Sequence, residues 1–139
     1  MDSQIDDIDI DSDQIFRIFL SPIGILDNVS FFRKVSSDAI GDYEQLISQR
    51  DSRVASNGKT SKSIAFLHID GNHHFDEVSK DIALWEPHVC IGGWVAIDDY
   101  LWAFGDGPKR AGDLLLASKR FDLAFVMGDT LYMRKSQID

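Results

Sequence analysis

The chain has 139 residues, 44% of them hydrophobic, and a formal net charge of −9. That length suits one domain with an ordinary core, and the acidic balance argues against general nucleic-acid binding, which needs a basic face against phosphates. Cys90 is the only cysteine, so no intrachain disulfide forms; no stretch reaches the ~20 apolar residues of a membrane span, and the acidic start lacks the basic and apolar regions of a signal peptide, so the expected setting is the cytoplasm.

Acidic residues crowd the run DSQIDDIDIDSD at positions 2–13. Residues 1–11 read as a solvated, frayed start, because the spacing does not fit a calcium loop. Asp11–Leu20 predicts a helix, with Ile15, Phe16, Phe19 and Leu20 at helical spacing and Ser12 or Asp13 as its cap. Pro22 and Gly24 break the chain, Val29–Arg33 predicts a short strand, and Ser36–Gln49 predicts a second helix with Ile40, Tyr43, Leu46 and Ile47 on one face. Ser52–Lys62 is polar and rich in turn formers, hence a loop.

Ser63–Ile69 predicts a strand that is apolar apart from His68. Unbroken hydrophobicity fits a strand covered on both faces, as in a parallel sheet. His73–Glu86 predicts a helix that buries Phe75, Val78, Ile82 and Trp85, and Pro87 ends it. Cys90, in the apolar segment HVCIGGW, reads as buried. Gly92-Gly93 predicts a turn into the strand Trp94–Ile97, and Tyr100–Gly107 a loop. A helix should follow from Pro108 to about Lys119, with Ala111, Leu114 and Leu115 against the sheet. Phe121–Met127 and Thr130–Met133, separated by Gly128-Asp129, predict an antiparallel hairpin. The alternation of strands and helices predicts α/β layers in a single domain, with a mostly parallel sheet and a C-terminal antiparallel hairpin.

Two acidic strand ends carry the chemistry: IDGNHH at Ile69–His74 and IDDY at Ile97–Tyr100. In open α/β sheets, ligands bind beyond the carboxyl ends of strands. If the two strands are neighbours, about 4.8 Å apart, their carboxylates can share one ion. Asp70, Asp98 and Asp99, with no cysteine among them, describe a hard-cation site of the Mg²⁺ kind. His73, three residues beyond Asp70, is placed to take a proton from a hydroxyl, which predicts transfer onto an activated hydroxyl oxygen. The blander reading of each aspartate is an Asx-turn or a helix cap. His68 reads as a sheet-facing residue and His74 as pointing elsewhere, while Tyr100 and Trp102 are placed to line a pocket. Lys109-Arg110 reads as a solvated pair, with contact to an anionic substrate as the alternative.

On these residues the chain resembles class I S-adenosylmethionine-dependent methyltransferases. The resemblance is to the metal-dependent O-methyltransferases grouped with macrolide sugar O-methyltransferases and cephalosporin-hydroxylase-like proteins. It is strongest over Ile64–Leu116, in FLHIDGNHHFDEVSKDIALWEPHV, GGWVAIDDY and GPKRAGDLLL. The resemblance implies a Rossmann-like fold, S-adenosylmethionine and Mg²⁺ as cofactors, and a sugar-like or other small-molecule hydroxyl as acceptor. It implies Asp70, Asp98 and Asp99 as metal ligands and His73 as general base. It also implies that Ser36 lies near the cofactor's adenosine end and Asp70 near its methionine part. The family's first strand and glycine-rich turn have no counterpart here, so the expected fold is truncated at its N-terminus. Asp2, Asp6, Asp7 and Asp9 are the only stand-ins for the acidic residue that meets the ribose. Open sheet edges would then invite pairing with a second copy or a complementing chain. The alternatives to methyl transfer are an inactive remnant or interaction module pairing through those edges, and a cephalosporin-hydroxylase-like or metal-assisted hydrolytic enzyme.

Overall fold

The computed structural model describes Pro22, Ser30 and residues 32–54 and 64–137. The chain divides into Met1–Arg33 and Lys34–Asp139, and every element named here belongs to the second unit. The expected Asp11–Leu20 helix lies outside the described residues. Of the expected Val29–Arg33 strand, Ser30, Phe32 and Arg33 are not in a strand, and Val29 and Phe31 lie outside the described residues.

Helix α1 spans Ser36–Val54. It runs five residues past the expected end at Gln49, because no breaker interrupts the chain before the Asn57-Gly58 pair. The expected loop is therefore helical over Ser52–Val54, and its residues 55–62 lie outside the described ones. Trp85 fastens helix α1 to the rest of this unit, its indole N–H donating to Ser36 Oγ at 2.6 Å. Tyr43 adds ring contacts at 5.4 Å to Trp85 and 5.3 Å to His88.

Strand β1 (Ile64–Ile69), helix α2 (Phe75–Trp85), a 3₁₀ turn (Glu86–His88) and strand β2 (Val89–Ile97) form the parallel part of the sheet. Helix α3 (Gly107–Ala117) leads to the hairpin of β3 (Phe121–Met127) and β4 (Thr130–Lys135). The strand order is β1-β2-β4-β3. Strand β4 pairs antiparallel with both β2 and β3, so the hairpin's second strand, not its first, joins the parallel pair. Gly128, at φ 65°, makes the hairpin turn.

Strand β2 begins at Val89, five residues before the expected Trp94, so Gly92-Gly93 lies within the strand instead of preceding it. The register with β1 shifts between Ile64↔Val89 and Phe66↔Trp94. The extra β2 residues bulge there, and Gly92 takes φ 81°. A Cβ at Gly93 would lie 2.9 Å from the Cys90 carbonyl oxygen, which excludes a larger residue. Cys90 itself is half-buried, short of the full burial expected.

Helices α2 and α3 cover one sheet face. Val78 and Ile82 of α2, and Ala111 and Leu115 of α3, meet Ile69, Val95, Ile97, Leu131 and Met133 in one core. Leu114 was expected in that core but is exposed, and Gly112 is the buried neighbour instead. On the other sheet face, no helix of the described residues joins this core. Phe66 is 56% exposed, so β1 is not covered on both sides as its hydrophobicity suggested.

The core also contains a charged cluster. Glu86 is buried, 2.9 Å from Lys135 Nζ and 3.0 Å from the Arg120 guanidinium. Lys135 Nζ also donates to the Glu86 carbonyl at 3.0 Å. Removing one partner of a buried pair typically costs about 3–5 kcal/mol, because the other charge stays buried. Lys135→Met should therefore lower the urea-unfolding free energy by about 3 kcal/mol. Arg134→Met, at an exposed pair with Asp122, should cost less than about 1 kcal/mol on the same assay.

Candidate functional site

The parallel β1–β2 ladder ends with Ile69 opposite Ile97, and the Asp98 N–H donates to the Ile69 carbonyl at 3.0 Å. This last rung places Asp70 and Asp98 side by side at the carboxyl ends of two neighbouring strands. Ligand atoms of Asp70, Asp98 and His68 all lie within 4.8 Å of one another. Asp70, Asp98, Asp99 and His73 also line a space of about 10 Å³. That is room for one water-sized occupant.

Asp99 has a different partner from the other two aspartates. It takes a left-handed backbone, φ 52°, which turns the chain after Asp98. Its Oδ2 lies 2.6 Å from His73 Nε2, and its carbonyl accepts the Trp102 N–H at 3.0 Å. With Nε2 turned to a carboxylate, the nitrogen left to accept a proton is His73 Nδ1. His74 donates its backbone N–H to Asn72 Oδ1 at 2.9 Å, an Asx arrangement that shapes the loop into α2.

The hairpin holds Asp98 from the other side. Thr130, at the start of β4, donates its hydroxyl to Asp98 Oδ1 at 2.5 Å. That bond is the main cause holding the Asp98 carboxyl below the usual carboxylate range, and partial burial opposes it. His68 Nε2 lies 3.9 Å from the other oxygen, Asp98 Oδ2.

Beside this centre opens a cleft of about 680 Å³, within the usual size of small-molecule sites. His73 forms part of its wall with Phe75, Trp102, Phe104 and Arg110. The Trp102 ring sits 4.5 Å from the His73 imidazole and 5.9 Å from Phe104. The Arg110 guanidinium lies over Phe75 at 4.2 Å. Two sequence expectations separate here. Trp102 lines the cleft, whereas Tyr100 is buried and donates its hydroxyl to Asp113 Oδ1 at 2.5 Å. Arg110 reaches the cleft, whereas Lys109 pairs with Asp113 at 2.8 Å. Asp113 is held below the usual range by Lys109 first and Tyr100 second, and it pushes the Tyr100 phenol up.

Ser36 is not brought to this centre. Its partner Trp85 ends α2, about 16 Å along an 11-residue helix from the end that follows His74. Sequence reasoning missed Thr130 and ranked a ligand role for His68 below a sheet-facing one, yet His68 falls in the cluster with Asp70 and Asp98. His68 was readable from the H-x-D spacing, since residues two apart in a strand share a face. Thr130 carried no local signal, because only the β2–β4 pairing delivers it.

A family model described as a methyltransferase domain matches residues 3–100. The chain belongs to this methyltransferase domain family. Its α/β fold with a terminal antiparallel hairpin agrees with the Rossmann-like expectation for class I S-adenosylmethionine-dependent methyltransferases. Among solved structures it is similar to the MycE methyltransferase from the mycinamycin biosynthetic pathway in complex with Mg, SAH and mycinamycin VI, at 19% identity and TM-score 0.46, over 76% of this chain and 31% of that one. A second crystal of MycE with Mg and SAH matches at 20% identity and TM-score 0.42, over 67% of this chain and 29% of that one. The chain thus spans less than a third of those chains. No curated protein matches it. Among the described residues, no helix is long and apolar enough to cross a membrane.

Two substitutions test how this methyltransferase domain shapes its site. A Cβ at Gly107 would overlap the His73 carbonyl, so Gly107→Ala should displace His73 and lower the melting temperature in calorimetry. Thr130→Val should raise the Asp98 titration midpoint, read by carboxyl NMR. A depressed folded-state value contributes stability above the unfolded pKa that is lost as pH falls through the folded one. Urea midpoints of the variant should therefore fall less steeply on acidification than those of the parent.

Proposed function

We propose that this methyltransferase domain transfers the methyl group of S-adenosylmethionine to a hydroxyl of a small molecule, with a divalent ion such as Mg²⁺ at the two strand ends. The observation that carries the reading is the His73–Asp99 pair, 2.6 Å apart, set between the acidic strand ends and the wall of the cleft. The donor set fits a hard cation: Asp70 and Asp98 offer adjacent carboxylates, and Asp99 lines the same small space. When bound, such an ion lowers the pKa of a hydroxyl that it touches.

The chain's own residues do the rest. Asp99 holds His73 Nε2, which fixes the ring and leaves Nδ1 toward an acceptor. The acceptor's O–H proton passes to Nδ1 as its oxygen forms a bond to the methyl carbon. The carbon–sulfur bond breaks in the same displacement, and the sulfur keeps the electron pair. Asp99 stabilises the imidazolium that results. Trp102 and Phe104 supply flat apolar walls that suit the ring of a sugar or similar natural product. The cofactor reading rests on family membership and on Asp70 at the end of β1. Ser36, whose hydroxyl oxygen accepts the Trp85 indole N–H, is assigned in this proposal to the cofactor's adenosine end.

A second reading, association of two copies through the sheet, has its own observation. Strand β3 ends the sheet order, and Leu123, Phe125, Val126 and Met127 are all exposed on it. Sedimentation velocity should then show the weight-average mass rising with concentration. A concentration-independent monomer would remove this reading.

For the enzymatic reading, titration calorimetry should detect S-adenosylmethionine binding, and mass spectrometry should show acceptors gaining one methyl group. His73→Ala should reduce turnover by about 10²–10⁴-fold, the usual scale for a general base, with cofactor affinity unchanged. A chain that binds no S-adenosylmethionine at millimolar concentration is not an autonomous methyltransferase.

A further inference from the structure

We propose that His68 is a metal ligand, so that the ion at the strand ends is held by one imidazole nitrogen and two carboxylates and is a divalent transition ion of the Mn²⁺ to Co²⁺ type in preference to Mg²⁺. This rests on the preceding reading only in placing an ion at the strand ends, and it does not depend on methyl transfer.

The geometry comes from the period-2 alternation of β-strands. His68 and Asp70 are two residues apart on β1 and project to the same side. His68 is paired with Ala96, and Asp98 follows Ala96 by two, so Asp98 projects to that side as well. Ile69 and Ile97 alternate with them and are buried in the core. The three ligating side chains therefore leave the sheet together. Their donor atoms lie within 4.8 Å of one another, and His68 Nε2 is 3.9 Å from Asp98 Oδ2. Two ligands about 2.1 Å from one ion cannot be more than about 4.2 Å apart, so that separation already fits a shared ion.

Two further observations support the assignment. Thr130 engages Asp98 Oδ1, which orients the carboxylate and leaves Oδ2 on the His68 side. Asp99 Oδ2 is engaged by His73 at 2.6 Å, and the third donor grouped with Asp70 and Asp98 is His68. Oxygen-only sets suit Mg²⁺, while an imidazole shifts preference toward first-row transition ions, whose affinities rise from Mn²⁺ through Co²⁺. Asp99 then acts as the residue that positions His73.

The test uses the full chain loaded with Mn²⁺ and read by pulsed electron paramagnetic resonance, which detects nitrogen bound directly to manganese. The parent should show nitrogen modulation. His68→Ala and His68→Gln should lose it, and calorimetry should show the Mn²⁺ to Mg²⁺ affinity ratio falling at least about tenfold. His73→Ala and Asp99→Asn should keep the modulation. The glutamine variant retains a polar side chain on β1, so loss in both His68 variants with unchanged circular dichroism reports on ligation and not on folding. The proposal is overturned if the parent binds no Mn²⁺, if it shows no nitrogen modulation, or if the modulation survives in both His68 variants or vanishes with His73→Ala. Nitrogen-coupled Mn²⁺ without methyl transfer would sink the enzymatic reading and leave His68 a ligand. Methyl transfer with Mg²⁺ and no nitrogen coupling would do the reverse.

Discussion

The parallel register of β1 on β2 is the constraint on which the site depends. It closes with the Asp98 N–H on the Ile69 carbonyl at 3.0 Å. Ile69 and Ile97 sit opposite each other and both enter the core. A slip of β1 by one residue would turn Ile69 out of the core and His68 and Asp70 towards it, so hydrophobic burial itself fixes the register. The carboxylates need no attraction of their own to meet. Two buried isoleucines place them next to each other, and the charge repulsion that results is met by Thr130, His68 and His73.

The C-terminal hairpin is accordingly part of the site. Because β4 and not β3 pairs with β2, the hairpin turn comes to the carboxyl end of β2. That places Thr130 on Asp98, and the Asp129 carbonyl accepts the Leu101 N–H at 3.1 Å. Helix α3 closes the third side. Its start at Gly107 approaches the His73 backbone too closely for any side chain, and Asp113 holds the Tyr100 hydroxyl. The loop between β2 and α3 is thus tied at both ends, which lets Trp102 stand against His73.

Much of this was legible in the sequence. The strands ending at Ile69 and Ile97, the helices opening near Phe75 and Pro108, and the Gly128 hairpin all carry local signals, namely apolar runs, a proline at a first turn and a glycine with positive φ. What was not legible depends on pairing. The start of β2 hid behind Gly92-Gly93, because a glycine pair reads as a turn until a neighbouring strand shows that it is a bulge. In the site, Asp70, Asp98, Asp99 and His73 do line one small space, but the split between Asp98 and Asp99 is set by a single backbone angle. Adjacent aspartates look equivalent on paper, whereas one left-handed residue between strand and loop sends them to different partners. Thr130 lies 32 residues from Asp98, and only the sheet order relates them.

The hydrophobic pattern of β1 was read as cover on both faces, and its failure has a physical consequence. Phe66 and Phe125 are 56% and 43% exposed on the strands at opposite ends of the sheet order, with Trp94 and Tyr132 half-buried between them. Trp94 meets Phe125 at 5.8 Å, and Phe125 stacks on Tyr132 at 5.3 Å. Apolar surface left in water forgoes about 25 cal/mol per Å². A row of rings along one face is therefore surface whose burial would stabilise whatever covers it. This face is also the side to which His68 projects from β1, with its ring 6.5 Å from Phe66. His68 thus belongs both to the aromatic face and to the cluster with Asp70 and Asp98.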